Sequence, residues 1–509
     1  MIQIQNQALF KQLAINQHHA KVTLKAERGI IYDRSEIPLA INREVTSAFF
    51  SPQKLKDKTK PVEFIQKHFP LAWDQYCSNP QTQFIWLKRN LSEMQIHTLK
   101  EANLSDIHLI KEPYRYYQLP CISSLIGSTN IDNIGISGIE LYAQNILEGS
   151  STIIEIEHDA RQGNRSFKTT IIQQGIPGNN ITLSIDSTLQ FIAAEELEKT
   201  ITSFEALEGG VLIMQPESGE ILACATYPYS DPNNAEKKEF YPQTIPITES
   251  FEFGSIIKTF CALAALEEGL VTPDEIINCE GYSYNFGKFK VSNWKWIGTA
   301  PFSDVMFYSS NVGLAKVASR LDSKLWTHLD ILGFGKKTGI EFPGEHSGLL
   351  RNPKNWSKTS PLALSFGYEL RATMLQIAKA LSIIANGGFD VSPTLYKKEI
   401  QDNSTKRLYK KETTEMLKNI LEPIAKKYTP PLCRAMGKTG TARLWDGDTY
   451  STTRHLYTFG GIIERDHYQR VIVTFIKEPK KTHLWATEVA APLFKAIATR
   501  MVLHEHIGS

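Results

Sequence analysis

The chain has 509 residues, 42% hydrophobic and 22% charged, which fits a globular protein of two or three domains and excludes a mostly disordered one. Its 56 basic and 54 acidic residues leave a net charge of +2, so no overall positive field points to nucleic acid as a partner. The six cysteines (Cys77, Cys121, Cys224, Cys261, Cys279 and Cys433) are widely spaced, without a Cys-x-x-Cys pair or a zinc pattern, and Cys224 and Cys261 lie in apolar runs that read as core.

Met1 to Ala20 mixes Ile, Leu and Phe with Gln, Asn, Lys and His. It holds neither the ~18 consecutive apolar residues that span a bilayer nor a compact signal-peptide core, so no membrane anchor is expected in it. Lys25 to Asn42 reads as an extended segment with a turn near Asp33-Arg34-Ser35. Residues 52 to 115 read as helices and loops. Gly135 to Glu140 leads into a short helical pattern ending at Leu147, and 152 to 175 and 179 to 186 are strand-like. The turn cluster Pro177-Gly178-Asn179-Asn180 marks the expected boundary between an N-terminal domain, 1–180, and a C-terminal domain, 181–509.

The C-terminal domain is expected to start with a helix from about Leu189 to Ile201, then strands Gly210 to Met214 and Ile221 to Ala225 joined at Pro216-Glu217-Ser218-Gly219. The polar stretch Ser230 to Lys238 reads as a surface loop. After Ser255 the chain is expected to be mainly helical to about 390, with closing strands over 436 to 478 and an amphipathic helix from about Glu488 to Leu503. This order is an α+β pattern, an antiparallel sheet flanked by helices.

Three short motifs carry chemistry. Glu252-Phe253-Gly254-Ser255-Ile256-Ile257-Lys258 precedes the apolar run Cys261 to Leu266, which puts Ser255 and Lys258 on one face of the first turn of a buried helix. A serine hydroxyl is a weak nucleophile at neutral pH, and burial of Lys258 would make its free amine available as a base. Tyr308-Ser309-Ser310-Asn311 reads by itself as a helix cap. Gly437-Lys438-Thr439-Gly440-Thr441-Ala442 precedes strand-like sequence, where glycine lets a strand edge approach a substrate. A second Lys-Thr-Gly, at 337 to 339, follows Gly333-Phe334-Gly335 and is assigned to a structural turn.

Ser-x-x-Lys, Ser-x-Asn and Lys-Thr-Gly in that order form a specific set. With them the chain resembles the penicillin-recognising serine acyltransferases. Arg28-Gly29-Ile30-Ile31-Tyr32-Asp33-Arg34 resembles the opening motif of class B penicillin-binding proteins, and Gly138-Ile139-Glu140, Asp186 with Gln190, and Pro228 to Asn233 match that class in order. Pro343-Gly344-Glu345, Ser365-Phe366-Gly367-Tyr368 and Ala385-Asn386-Gly387-Gly388 look most like its septal, division-type branch. The chain departs from the family at Phe253, where proline is usual, and at Ser35-Glu36, which replaces an Asn-Gly turn.

The resemblance implies an N-terminal elongated pedestal of the dimerisation type followed by a transpeptidase domain of serine β-lactamase-like fold. It implies a D,D-transpeptidase that cross-links peptidoglycan stem peptides through a Ser255 acyl-enzyme with loss of terminal D-Ala, and that β-lactams acylate. Lys258 is the candidate base, Ser309 the proton relay, Asn311 the holder of the substrate amide and Lys438 the charge for the terminal carboxylate. Thr439, Gly440 and Thr441 form the substrate-binding strand. Implied partners are a membrane glycosyltransferase and division-complex proteins, and the implied location is the inner membrane with a periplasmic catalytic domain. The resemblance also implies a transmembrane helix just before the Arg-Gly motif, where this sequence shows none. No cofactor or metal is expected, since the histidines, His18 and His19 included, lack ligand spacing. A β-lactamase or D,D-carboxypeptidase on the same fold, and a non-catalytic β-lactam sensor or division scaffold, are the competing readings.

Overall fold

The computed structural model describes residues 19–24, 26–55, 59–82, 84–158, 167–233, 243–398, 406–481 and 484–505. Most of the segment from Met1 to Ala20 and of the loop expected at Ser230 to Lys238 lies outside the described residues.

In the N-terminal part, the long strand Pro38–Phe50 pairs antiparallel with Ile31–Tyr32, Ile85–Lys88 and Ile107–Tyr117, and Ile31–Tyr32 pairs in parallel with Ile181–Thr182. The turn expected at Asp33-Arg34-Ser35 forms because Asp33 Oδ1 accepts from the backbone N–H groups of Ser35 and Ile37, both at 2.8 Å. Glu36 sits in this turn at φ +64°, a conformation that the glycine of the usual Asn-Gly turn adopts without strain. Residues 52 to 115 differ from expectation. Besides three α-helices they contain two strands, Ile-Trp-Leu-Lys at 85–88 and a mixed run from Ile107, which show no clean period of two and are recruited by register to Pro38–Phe50, a partner no local window displays.

The Arg-Gly motif ties this part together and to the rest. Buried Arg28 donates through Nε to Glu140 Oε2 (2.5 Å) and through Nη2 to the Glu140 carbonyl (2.6 Å), while Arg115 Nε reaches Glu140 Oε1 (2.6 Å). Asp33 Oδ2 accepts from Ser187 Oγ (2.7 Å), the first residue of the next domain's leading helix.

The C-terminal part runs α1 (Ser187–Phe204), β1 (Glu208–Met214), β2 (Ile221–Tyr227), α2 (Ile257–Glu267), β3 (Ile276–Phe286), β4 (Phe289–Pro301), α3 (Asn311–Leu321), α4 (Met374–Ala385), β5 (Arg434–Trp445), β6 (Tyr450–Arg465), β7 (Tyr468–Lys477) and α5 (Ala490–His504), with shorter helices between. One antiparallel sheet has the order β2-β1-β7-β6-β5. Alternate residues of its strands enter different cores. Val211, Ile213, Ile472 and Ile476 pack with α1 and α5, whereas Leu212, Met214, Val473 and Phe475 pack with α2 and α4. Because both faces are covered, the strands read as unbroken apolar runs. Every residue of α2 from Ile257 to Leu266 is buried; apart from Lys258 and Thr259 they are apolar on all sides, as a helix surrounded by core requires.

The segment after Ser255 also differs from expectation. It is not mainly helical: β3 and β4 form a long two-stranded hairpin. Ile277, Cys279, Val291 and Ile297 point inward, but Tyr282, Trp294 and Trp296 are large and point outward, so the apolar residues fall on both faces and hide the period of two.

Candidate active site

Ser255 lies on a single 3-10 turn, Gly254–Ile256, that continues into α2. The turn rests on the edge strand β5. A Cβ on Gly440 would stand 2.2 Å from the Phe253 carbonyl oxygen, and Gly254 takes φ +57° with the Thr441 carbonyl directly above it. Only glycine fits at either position. Phe253, the departure from the family's usual proline, is buried in the core and leaves the turn intact.

Ser309 is where the three motifs meet. Lys258 Nζ donates to the Ser309 carbonyl (2.6 Å) and to Asn311 Oδ1 (2.6 Å), and stands 3.0 Å from Ser309 Oγ. From the opposite side Lys438 Nζ lies 3.1 Å from the same hydroxyl. Ser255, Ser309, Asn311, Thr439 and Thr441 are half-buried and so face the cleft, whereas the two lysines are buried. The structure thus joins Lys258, Ser309, Asn311 and Lys438 in one cluster and sets the Ser255 turn against the Gly440–Thr441 strand. The helix-capping function that the Ser309 motif suggests belongs to its neighbour: Ser310 Oγ accepts from Gly313 N (3.0 Å), leaving Ser309 to the cleft.

Burial, and secondly the charge of Lys438, hold the Lys258 amine well below the ordinary lysine range. Burial lowers Lys438 to about 8. A neutral Lys258 has two hydrogens, which the two carbonyl oxygens at 2.6 Å take up, and its lone pair is left to accept a proton from a hydroxyl.

The backbone strain at Ser309 and several residues that support the arrangement carry no sequence signal. Ser309 holds φ +56°, a left-handed conformation costing about 1–3 kcal/mol in a non-glycine residue. Trp294 Nε1 donates to the Tyr308 carbonyl (2.8 Å) and Lys295 Nζ covers the Tyr308 ring at 3.7 Å, fixing the peptide just before Ser309. Asn293 Oδ1 accepts from Ser310 Oγ (2.9 Å) and Val312 N (3.2 Å). Half-buried Glu252 accepts from Tyr450 (3.0 Å) and from Glu369 N (3.1 Å), linking the segment before Ser255 to the β5–β6 turn. These residues are scattered along the chain, and only the fold makes neighbours of them. Lys337-Thr338-Gly339 is remote from the cluster: Thr338 donates through N (2.5 Å) and Oγ1 (2.7 Å) to Glu345 in a closed loop, the structural turn expected of it.

Among the described residues no group of three or more His, Cys, Asp or Glu side chains is placed to hold a metal ion, and no helix is long and apolar enough to cross a membrane.

Comparison with known sequences and structures gives a consistent result. Residues 209–499 match the family described as the penicillin binding protein transpeptidase domain, and residues 23–183 match the penicillin-binding protein dimerisation domain. The probable peptidoglycan D,D-transpeptidase PbpC of Pseudomonas aeruginosa is 29% identical, over 92% of this chain and 85% of its own. The peptidoglycan D,D-transpeptidase FtsI of Escherichia coli K12 is 28% identical, over 93% of this chain and 83% of its own. The crystal structure of a peptidoglycan synthetase from Bifidobacterium adolescentis superposes with a TM-score of 0.74 at 20% identity, covering 96% of this chain and 97% of that one, which establishes the common fold.

Proposed function

The chain belongs to the class B penicillin-binding proteins and is a peptidoglycan D,D-transpeptidase, and on that premise we propose that Ser255 is its acylated nucleophile and the division septum its place of work. Ser255 Oγ attacks the carbonyl of the penultimate D-Ala of a stem peptide while neutral Lys258 takes its proton. The backbone N–H groups of Ser255 and Thr441 receive the developing oxyanion, a contribution of about 3–4 kcal/mol per donor in comparable sites. Ser309, between the two lysines, passes the proton to the departing D-Ala nitrogen. Lys438, Thr439 and Thr441 hold the terminal carboxylate, Asn311 the substrate amide, and Gly440 lets the strand edge come close. The amine of a second stem peptide then attacks the acyl-enzyme, and its proton returns through the same groups.

The observation that carries this reading is the convergence of Lys258 and Lys438 on the Ser309 hydroxyl, at 3.0 and 3.1 Å. β-Lactams, which present a strained amide and a carboxylate in a similar arrangement, are expected to stop at the acyl-enzyme. The intact mass of the purified protein after incubation with penicillin should rise by one drug, and that of Ser255→Ala should not. Fast hydrolysis of the drug without an adduct would indicate a β-lactamase, and an inert protein a scaffold.

The septal assignment rests on the division-type motifs and on the likeness to FtsI. In this reading the catalytic domain faces the periplasm beside the inner membrane, and residues 1–180 act as a pedestal that meets a membrane glycosyltransferase and division proteins. A fluorescent fusion spread evenly over the envelope of dividing cells would rule out the septal assignment.

The two lysines predict the pH dependence. Lys258 acts as the free base, so acylation falls at low pH as it takes a proton. Lys438 must be charged to hold the carboxylate; its charge is present below about 8 and lost above it. The rate of penicillin acylation should therefore be bell-shaped, with an alkaline limb near 8. Lys438→Arg, which does not titrate in this range, should lose that limb whatever its absolute rate. An unchanged limb would exclude Lys438 as its origin.

A further inference from the structure

An exposed aromatic face lies beside the Ser309 segment, and apart from the Trp294 N–H its rings have no part in the chemistry above. The register of the β3–β4 hairpin slips here: Gly281 pairs with Ile297 and Ser283 with Ser292, so the four residues Asn293 to Trp296 stand opposite Tyr282 alone. Such a bulge re-aims side chains and is common beside active sites. The Asn293 amide replaces part of the interrupted ladder by donating to the carbonyls of Cys279 (3.1 Å) and Gly281 (2.8 Å), so the bulge is a built feature.

It displays two tryptophans. The Trp296 indole lies across the hairpin from Gly281 to Gly298; a Cβ on either glycine would come within 2.9 Å of the ring, and Trp296 is nevertheless 64% exposed. Trp294 is 58% exposed, and its N–H is already bonded to Tyr308, so only its ring is on offer. Trp485, from the segment between β7 and α5, is 52% exposed and packs against Trp294 with ring centroids 5.8 Å apart. Three tryptophans from two separate elements, each more than half in water, mark a binding surface.

We propose that Trp294, Trp296 and Trp485 form a stacking surface for sugar rings of the glycan strand that carries the stem peptide, an inference that rests on the transpeptidase reading above. A pyranose presents a flat face of C–H groups with hydroxyls around its rim. A tryptophan ring that rests on two glycines and is 64% exposed matches that shape. The position also matches the substrate. A stem peptide whose D-Ala end lies at Ser255 carries its sugar a few residues away, and Trp294 touches the residue that precedes Ser309. Peptide and glycan are thereby read by adjoining parts of one surface.

The test uses the full chain with glycan strands stripped of their peptides by an amidase, binding being followed by quenching of tryptophan fluorescence and by co-sedimentation. Trp296→Ala lies outside the catalytic machinery. It should weaken glycan binding by roughly tenfold and slow turnover of glycan-linked stem peptides in proportion, with penicillin acylation unchanged. Trp296→Phe, which keeps a ring, should recover most of the loss. Equal glycan binding by wild type and Trp296→Ala, the result expected if the face serves a polypeptide partner, would overturn the proposal. So would absence of glycan binding in the wild type, or a loss of penicillin acylation in Trp296→Ala that matches its loss of glycan binding. Glycan binding is measured without turnover, so a wild type that binds glycan but takes no penicillin would sink the transpeptidase reading and leave this one standing.

Discussion

Acylation of Ser255 by penicillin should fall by about a thousandfold in Lys258→Met, the size of loss that follows removal of a general base. The physical reason lies in what the cleft does to this side chain. Burial and Lys438 favour the neutral amine, and two carbonyl oxygens orient it with its lone pair unused. Methionine has similar length and no proton chemistry. Lys258→Arg adds a second arm: a guanidinium still donates to Ser309 and Asn311 but keeps its proton, so it should be as slow as methionine. Stopped-flow acylation across pH 5 to 9 reads both variants. A loss below about tenfold, with the acid limb unmoved, would remove Lys258 from the proton path.

The second large effect is expected far from the cleft, at Glu140. Its side chain is fully buried and answers two buried guanidiniums, Arg28 and Arg115. Glu140→Ala leaves both cations in the interior with their main partner gone, and breaking a buried pair in this way costs about 3–5 kcal/mol. The network joins strand, loop and short helix within the N-terminal domain, so the loss should appear as an early unfolding step and as proteolysis within residues 26–183. Penicillin acylation of whatever remains folded should be nearly normal, because Ser255 and its neighbours are held by the other domain. A thermal profile identical to wild type would show that Arg28 and Arg115 find other partners and that Glu140 is not the keystone.

Legibility from sequence varied with the distance between interacting residues. Helix α1 was readable because its apolar residues recur at helical spacing, although it begins at Ser187, two residues before the expected Leu189, where Asp186 caps it. The turn at Asp33 was readable because its hydrogen bonds are local. The β3–β4 hairpin was hidden by aromatic residues on its outer face, and the strands Ile85–Lys88 and Ile107–Tyr117 by a pairing partner far away in the chain. The supporting residues Asn293, Trp294 and Glu252 escaped for the same reason: each bonds to a group whose proximity exists only after folding.

The candidate reactive groups were legible in the sequence, because Ser255 with Lys258, Ser309 with Asn311, and Lys438 to Thr441 are each arranged within a turn of helix, a cap or a strand edge, where local geometry decides what a side chain can face. Only folding made these three segments neighbours around Ser309, buried Lys438 as well as Lys258 and lowered the pKa of each, and set the tryptophans of a bulged hairpin beside them. Those properties depend on packing between distant segments and on exclusion of water, which no short stretch of sequence contains.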